Sequence, residues 1–247
     1  MDNFSKQSAL YARYRPHYPK ELLSEIYGHV KERKRAWDCG TGNGQLAEKL
    51  ALEFENVHAT DISEEQLKYA VPESNINYIK SSAEEPIFES GMFDLITVAQ
   101  AIHWFDFENF YKEVVRTSKK DGVFAVIGYG RLTTDSNATK TISDFYDKMF
   151  RSHFTENREY LDKGYKTIPF PFLEIGYYEF AATYNWNIKD LSGYMQSWSA
   201  VQKFREINGF DPTDGIITEL SKDWKSSQTV RFPVFLRLAR INPGADT

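Results

Sequence analysis

Three glycines fall within the five residues GTGNG, and an aspartate stands two positions before the first of them. Glycines at this density let a ligand approach the backbone closely at the turn that follows a strand. A second aspartate ends the apolar segment VHATD, where a carboxylate can accept both hydrogen bonds of a ribose diol. The pattern therefore predicts a nucleoside site formed by Asp38, Gly40, Gly42, Gly44 and Asp61.

The spacing of the glycines separates three kinds of nucleotide site. A P-loop needs a Lys-Ser or Lys-Thr pair directly after its last glycine, whereas Gln45 and Leu46 follow Gly44 here. A dinucleotide site needs a glycine where Gln45 stands. The carboxylate of Asp38 suits a cationic nucleoside, and S-adenosylmethionine carries both an ammonium and a sulfonium. Two alternatives stay open, an NAD(P)-dependent oxidoreductase and a non-catalytic protein that binds S-adenosylmethionine.

The strands and helices that must position these residues alternate along the sequence. Apolar strand segments are expected at 35–39, 57–61, 76–82, 93–100 and 122–130, with amphipathic helices between them. This alternation predicts the α/β class, with a parallel sheet built from βαβ units. Two late strands, 177–186 and 229–241, look like an antiparallel pair at the sheet edge, which gives a doubly wound, mostly parallel sheet of seven strands. We expect one domain over 1–247, in which a core at 22–130 carries a cover made of 1–21, 131–175 and 188–225.

Composition narrows the class of protein. The net charge of -5 argues against a nucleic-acid partner, because such domains usually carry a basic surface. The single cysteine, Cys39, excludes an internal disulfide, and the histidines lack metal spacing, so no metal is expected. No apolar run is long enough to span a bilayer, and the amino terminus lacks the apolar core of a signal peptide. We therefore expect a cytoplasmic protein without a membrane partner.

One histidine stands close to the predicted site. His103 follows the fourth expected strand by three residues, and its imidazole could deprotonate a methyl acceptor as a general base. It could instead pack beside Trp104 and shape a pocket. Both interpretations stay open.

Residues 36–130, with the motifs above, resemble the class I S-adenosylmethionine-dependent methyltransferases, in particular the small-molecule, type 11 branch that includes the ubiquinone-biosynthesis type. Four further segments resemble the trans-aconitate methyltransferase-like subfamily: YARYRPHYPKELL, AQAIHWFDFENFYKEVVR, SGYMQSWSAVQKF and RFPVFLRLAR. The resemblance implies a Rossmann-like methyltransferase fold. It also implies methyl transfer from S-adenosylmethionine to a small molecule, with a carboxylic acid as the suggested acceptor.

The resemblance also implies roles for individual residues along the cofactor. The methionine part would be held by Asp38, Gly40 and Thr41, and the ribose and adenine would be flanked by Asp61 and Ile62. The remaining implied contacts are Ala83 and Glu84 at the adenine end, Gln100 and Ala101 beneath the sulfur, and Tyr11, Tyr14 and Arg15 folded over the site. Of these, Arg15 is the candidate for the cofactor's carboxylate.

Overall fold

The computed structural model describes residues 14–150, 157–224 and 226–241. Within these residues the chain forms two compact units. The sheet unit contains Tyr18–Tyr129, Glu159–Phe180 and the chain from Val234 onward, and the helical unit contains the chain up to His17, Gly130–Arg158 and Ala181–Pro233.

The strands form one sheet, which confirms the predicted α/β class. Their bounds are β1 (Arg35–Cys39), β2 (Asn56–Asp61), β3 (Ile76–Lys80), β4 (Phe93–Ala99), β5 (Ser118–Tyr129), β6 (Thr133–Thr134), β7 (Leu173–Trp186) and β8 (Gln228–Arg240). Five strands pair in parallel in the order β3-β2-β1-β4-β5. Next to them β8 runs antiparallel to β5, and the two late strands pair with each other as expected, β7 with β8. The eighth strand, β6, was not expected, because two residues are too few to show an apolar alternation.

Helices stand before β1 and between several of these strands. Their bounds are α1 (Lys20–His29), α2 (Ala47–Leu50), α3 (Glu64–Leu67), α4 (Phe107–Thr117), α5 (Ala138–Phe150), α6 (Arg158–Asp162), α7 (Ile188–Gln196), α8 (Ser199–Asn208) and α9 (Asp214–Leu220). The hydroxyl of Ser63 caps the start of α3, since it accepts from the amide of Gln66 at 3.3 Å. However, α3 buries no side chain, so nothing extends it beyond one turn. Among the described helices none is long and apolar enough to cross a membrane.

Aromatic side chains fill the core of the sheet unit. The indole of Trp37 is fully buried, and its ring packs edge-on against Phe88 at 5.4 Å and Phe110 at 6.1 Å. Its Nε1 donates to the hydroxyl of Thr60 at 2.8 Å, which satisfies the one polar atom of the side chain. Burial of an aromatic side chain contributes about 2 kcal/mol, so this cluster anchors β1 and the turn that follows it.

The segment 159–175, which we expected in the cover, belongs to the sheet unit. Aromatic side chains of this segment pack against the sheet unit. Phe170 stacks on Phe124 of β5 at 5.8 Å, and Phe172 packs edge-on against Tyr111 of α4 at 5.1 Å. These rings extend the core of the sheet unit.

Candidate active site

The glycine turn lies directly after β1, and all three of its glycines have left-handed φ values, 68°, 59° and 84°. Gly40 also approaches a second loop very closely. A Cβ added to Gly40 would lie 2.5 Å from the Cβ of Ala101 and 3.1 Å from the Phe105 ring. The turn after β1 therefore packs against the segment after β4, which brings the predicted residues Gly40 and Ala101 together.

The third glycine meets a residue that sequence reasoning missed. A Cβ at Gly44 would overlap the hydroxyl of Tyr78 in β3. That hydroxyl donates to the carbonyl of Val71 at 3.1 Å, so the ring cannot move aside without losing this bond. Burial raises the pKa of Tyr78 to about 12. The position of Tyr78 thus requires a glycine at position 44. The sequence does not reveal this contact, because a tyrosine in a half-buried strand is ordinary.

Asp38, at the end of the turn's leading strand, is a buried carboxylate with 1 % of its surface exposed. Two hydroxyls hold it, since Thr41 donates to Oδ2 at 2.6 Å and Thr97 donates to Oδ1 at 2.8 Å. Burial raises the pKa of Asp38 to about 6, while the bonds from the two threonines act to lower it. Near neutral pH the site therefore presents a poorly solvated anion, which suits a cationic ligand. Thr97 was not predicted.

Asp61, at the end of β2, fixes the backbone of the turn. Its Oδ2 accepts from the amide of Gly42 at 2.8 Å, and its Oδ1 accepts from the amide of Ser63 at 2.8 Å. An ionised carboxylate has about four acceptor positions, so two amides leave capacity for the hydroxyls of a ribose. Asp61 therefore connects the two loops that the sequence assigned to one nucleoside.

The residues predicted at the adenine end differ in their surroundings. Ile62 exposes 72 % of its side chain, whereas Ala83 is buried. The carboxylate of Glu84 accepts from the amide of Asp106 at 3.1 Å, which ties the loop after β3 to the start of α4. An exposed isoleucine beside Asp61 provides an apolar surface of the kind on which a purine can pack.

Gln100, directly after β4, has a left-handed backbone with φ 59°. This conformation costs an L-residue about 1 to 2 kcal/mol. Two bonds to β5 maintain it, because its amide donates to the carbonyl of Ile127 at 2.9 Å and its Nε2 donates to the carbonyl of Tyr129 at 3.2 Å. Backbone strain of this kind clusters at functional sites, and here it lies at the predicted end of the cofactor.

His103 lies in a short 3₁₀ helix, Ile102–Trp104, and exposes 2 % of its surface. Its Nδ1 lies 2.7 Å from the hydroxyl oxygen of Tyr165, and its ring centroid lies 4.8 Å from that of Trp104. Tyr165 comes from the segment before β7, and no feature of the sequence singled it out.

The amino-terminal residues predicted to cover the site are described only in part. Tyr11 lies outside the described residues. Arg15 belongs to the helical unit, where its Nη2 donates to the carbonyl of Ser197 at 3.0 Å and its guanidinium lies 6.0 Å from the Tyr194 ring. The roles proposed for Tyr11, Tyr14 and Arg15 toward the cofactor stay predictions.

The site offers hydrogen bonding and charge, without a cluster of metal ligands. Within the described part of the chain, no group of three or more His, Cys, Asp or Glu side chains is arranged to hold a metal ion. The site contains the carboxylate of Asp38, the acceptor oxygens of Asp61 and, between them, the glycine turn, whose backbone carries no side chains at three positions. These groups can bind and orient a cationic nucleoside.

A mostly parallel sheet with a glycine turn after its first strand and acidic residues at two strand ends is typical of the Rossmann-like methyltransferases. Comparison with known proteins agrees, because residues 37–126 match the methyltransferase domain family. A candidate methyltransferase of Dictyostelium discoideum is 31 % identical over 249 residues, which cover 97 % of this chain and 95 % of that protein. The chain belongs to the class I S-adenosylmethionine-dependent methyltransferases.

Solved structures extend the comparison. A candidate type II methyltransferase from Anaeromyxobacter dehalogenans is 32 % identical, with a TM-score of 0.83 over 94 % of this chain and all of that one. A candidate methyltransferase from Bacillus halodurans, 19 % identical over 92 % of this chain and all of that one with a TM-score of 0.54, shares the fold. The oxidoreductase alternative is therefore set aside, and the chain is a methyltransferase.

Proposed function

We propose that this enzyme transfers the methyl group of S-adenosylmethionine to a small molecule, and that the carboxyl ends of β1, β2 and β4 hold the cofactor. The observation that carries the proposal is the buried carboxylate of Asp38, which is held by Thr41 and Thr97 in a site without a metal cluster among the described residues. A buried charge is costly unless it is paired, so a cationic ligand at this position gains more than it would at the surface.

The other cofactor contacts follow from the same edge of the sheet. Asp61 would accept from the ribose, since its two oxygens already fix the turn and keep acceptor capacity. Ile62, Ala83 and Glu84 would line the adenine. Thr41, Gly42 and Gly44 would leave room for the methionine part, and Gln100 with Ala101 would lie below the sulfur.

We infer that the acceptor is a carboxylic acid. A carboxylate is already an anion at neutral pH, so its methylation needs proximity and in-line orientation rather than proton removal. The resemblance of four segments of the chain to the trans-aconitate methyltransferase-like subfamily supports this class.

The cofactor supplies an electrophilic methyl group on a sulfonium. The chain's contribution is to bind and to orient. Asp38 would hold the positive charge of the bound cofactor, the glycine turn packs against Ala101, and the hydrogen bonds from Gln100 to β5 fix the loop after β4. When bound, the cofactor would supply this methyl group to an acceptor oxygen and keep the carbon–sulfur electron pair on sulfur, so a carboxylate acceptor would give a methyl ester and S-adenosylhomocysteine.

Calorimetric titration with S-adenosylmethionine, S-adenosylhomocysteine and NAD tests the cofactor site. We expect the first two to bind, and Asp38→Asn to weaken binding of S-adenosylmethionine about 100-fold, the effect of removing one partner of a buried charge pair. Asp94→Asn is the matched control, because Asp94 is also buried. Its carboxylate accepts hydrogen bonds from the amides of Lys34 and Arg35, and it lies at the start of β4, at the end away from the cofactor site. Equal affinity in wild type and Asp38→Asn would contradict the assignment.

The acceptor class is tested with methyl-labelled S-adenosylmethionine and a panel of small carboxylic acids, amines and phenols. We expect label in a product that releases methanol on mild base treatment, which methyl esters do and N- or C-methyl products do not. Base-stable label from an amine or a phenol would overturn the carboxylic acid while leaving the methyltransferase activity in place.

A further inference from the structure

The β3–β4 loop, residues 81–92, carries Ala83 and Glu84, the two residues proposed to line the adenine with Ile62. We propose that Arg116 of α4 is a positioning residue for adenine recognition: its guanidinium fixes the loop backbone just beyond Glu84 and so determines where Ala83 and Glu84 lie. The inference rests on the proposed function, because it requires the adenine to bind at this loop. The loop and α4 both belong to the sheet unit.

The β3–β4 loop lies at the same edge of the sheet as the glycine turn. At its start, the amide of Ser81 donates to the carbonyl of Asp61 at 3.0 Å. Further along, the carboxylate of Glu84 accepts from the amide of Asp106 at 3.1 Å. The residue before that amide is Phe105, whose ring packs against the glycine turn. The loop is therefore attached to both parts of the proposed nucleoside site.

The shape of the β3–β4 loop depends on contacts with its surroundings. All of residues 81–92 are described, and none of them lies in a helix or a strand. The ring of Phe88 enters the aromatic core, where it packs edge-on against Phe93 at 4.9 Å and Trp37 at 5.4 Å. Pro86 is buried as well. Backbone carbonyls at buried positions need hydrogen-bond donors, and this loop has no regular structure to supply them.

Arg116, in the last turn of α4, supplies these donors. Its Nη1 donates to the carbonyl of Phe88 at 2.7 Å, and its Nη2 donates to the carbonyl of Pro86 at 3.4 Å. Its Nε donates to the carboxylate of Glu113, one turn earlier in the helix, at 2.9 Å. A planar guanidinium with five N–H groups can bond two carbonyls and a carboxylate together. Glu113 therefore orients the group that binds the loop.

The bonds from Arg116 act close to the proposed adenine contacts. Only Glu85 separates Glu84 from Pro86, and a proline restricts its own backbone and that of the residue before it. Fixing the carbonyl of Pro86 therefore restricts the path of the chain back to Glu84. The carboxylate of Glu84 is bonded at the start of α4, while Arg116 lies near its end. An 11-residue helix, about 15 Å long, thus holds the loop at two separate points.

Other contacts hold the loop in the fold when the side chain of Arg116 is changed. The backbone carbonyls of Arg116 and Thr117 accept from the amides of Gly91 and Met92 at 2.9 Å and 2.7 Å. The ring of Phe88 stays in the core. We therefore expect Arg116→Met to fold and to lose only the bonds from the guanidinium.

Calorimetric titration with S-adenosylhomocysteine and S-inosylhomocysteine measures recognition of the base. These ligands differ only in the purine, where an amino group in adenine is replaced by a carbonyl oxygen in hypoxanthine. The carboxylate of Glu84 can accept from the amino group and repels the oxygen. We expect the wild type to prefer S-adenosylhomocysteine at least about tenfold, the effect of one hydrogen bond to a charged group.

In Arg116→Met this preference should fall to about threefold or less, because Glu84 is no longer held in place. A merely structural role would weaken the binding of both ligands equally and leave their ratio unchanged. Arg116→Lys, which keeps the charge beside Glu113 but has a single nitrogen, should show an intermediate ratio. Lys112→Met is the matched control, since Lys112 bonds Glu108 and Asn109 within α4, and it should keep the wild-type ratio.

The wild-type ratio in Arg116→Met or in Arg116→Lys would overturn the proposal. Equal affinities of the wild type for the two ligands would overturn it even if neither variant folded. A wild type that binds neither ligand would overturn the proposed function instead.

Discussion

Thr97 lies directly beside Asp38 in the register of β4 and β1, and its hydroxyl donates to the aspartate's Oδ1 at 2.8 Å. The two residues are 59 positions apart in the chain, yet the sheet makes them neighbours. The Thr97 bond acts to lower the pKa of Asp38 against the effect of burial. Thr97 therefore helps to keep a negative charge in the interior.

Thr97→Val should weaken S-adenosylmethionine binding, because it removes this hydroxyl with little change of volume. We expect about a tenfold loss at neutral pH, which corresponds to one hydrogen bond to a charged group. Calorimetry measures the change. Thr117→Val is the control, since Thr117 is equally buried but donates to the carbonyl of Glu113 within α4. An unchanged affinity in Thr97→Val would show that Asp38 does not depend on this bond.

Cofactor affinity should fall as pH decreases through about 6, the value to which burial raises the pKa of Asp38. Protonation removes the negative charge that attracts the cationic ligand. The stability of the unliganded fold should depend on pH in the opposite direction. Because the pKa of Asp38 is higher in the folded chain than the 3.8 of the unfolded chain, its protonated form contributes stability below pH 3.8, and this stability is lost as pH rises through about 6.

Titrations between neutral pH and about pH 5 check this dependence. Asp38→Asn should bind weakly and show a flatter pH profile over the same interval. The same steep profile in Asp38→Asn would assign the titration to another group.

Substitution of the third glycine, Gly44, should lower the free energy of unfolding by more than its backbone strain alone explains. Gly44→Ala forces a Cβ onto Tyr78, whereas Gly91→Ala, at φ 65°, meets nothing within 4 Å and is the matched control. We expect Gly91→Ala to lower the free energy of unfolding by about 1 kcal/mol and to leave cofactor binding intact.

Tyr78→Ala in the Gly44→Ala background then tests the clash itself. Removing the ring should relieve the clash, so the loss of unfolding free energy in the double variant, measured by denaturant unfolding, should be smaller than the sum of the losses in the two single variants. Additive losses in the double variant would mean that Tyr78 is not the obstacle.

Local patterns in the sequence were enough to predict the sheet class, the glycine turn and both aspartates. Asp38 and Asp61 stand at strand ends, and Gly40 and Gly44 lie in the turn after β1. Strand ends can be recognised from apolar runs alone. The comparisons confirm the class of enzyme that this pattern indicated.

The partners of these residues could not be predicted in the same way. Thr97 reaches Asp38 through strand register, and Tyr165 reaches His103 across 62 positions of chain. Neither pairing follows from periodicity, because it depends on which strands become neighbours and on where a long connection returns. The eighth strand, β6, and the shortness of α3 have the same origin, since tertiary contacts decide both.

His58 predicts a separate dependence of stability on pH. Its ring packs edge-on against Phe88 at 5.4 Å and Phe93 at 5.5 Å, and burial, with Arg35 nearby, lowers its pKa below the ordinary 6.5. The unfolded chain then binds more protons than the folded one, so stability contributed by neutral His58 is lost as pH falls below about 6.5. Denaturant unfolding at neutral pH and at about pH 5 should show a smaller acid loss in His58→Gln than in the wild type. An equal loss in both proteins would mean that His58 does not contribute to the acid sensitivity of the fold.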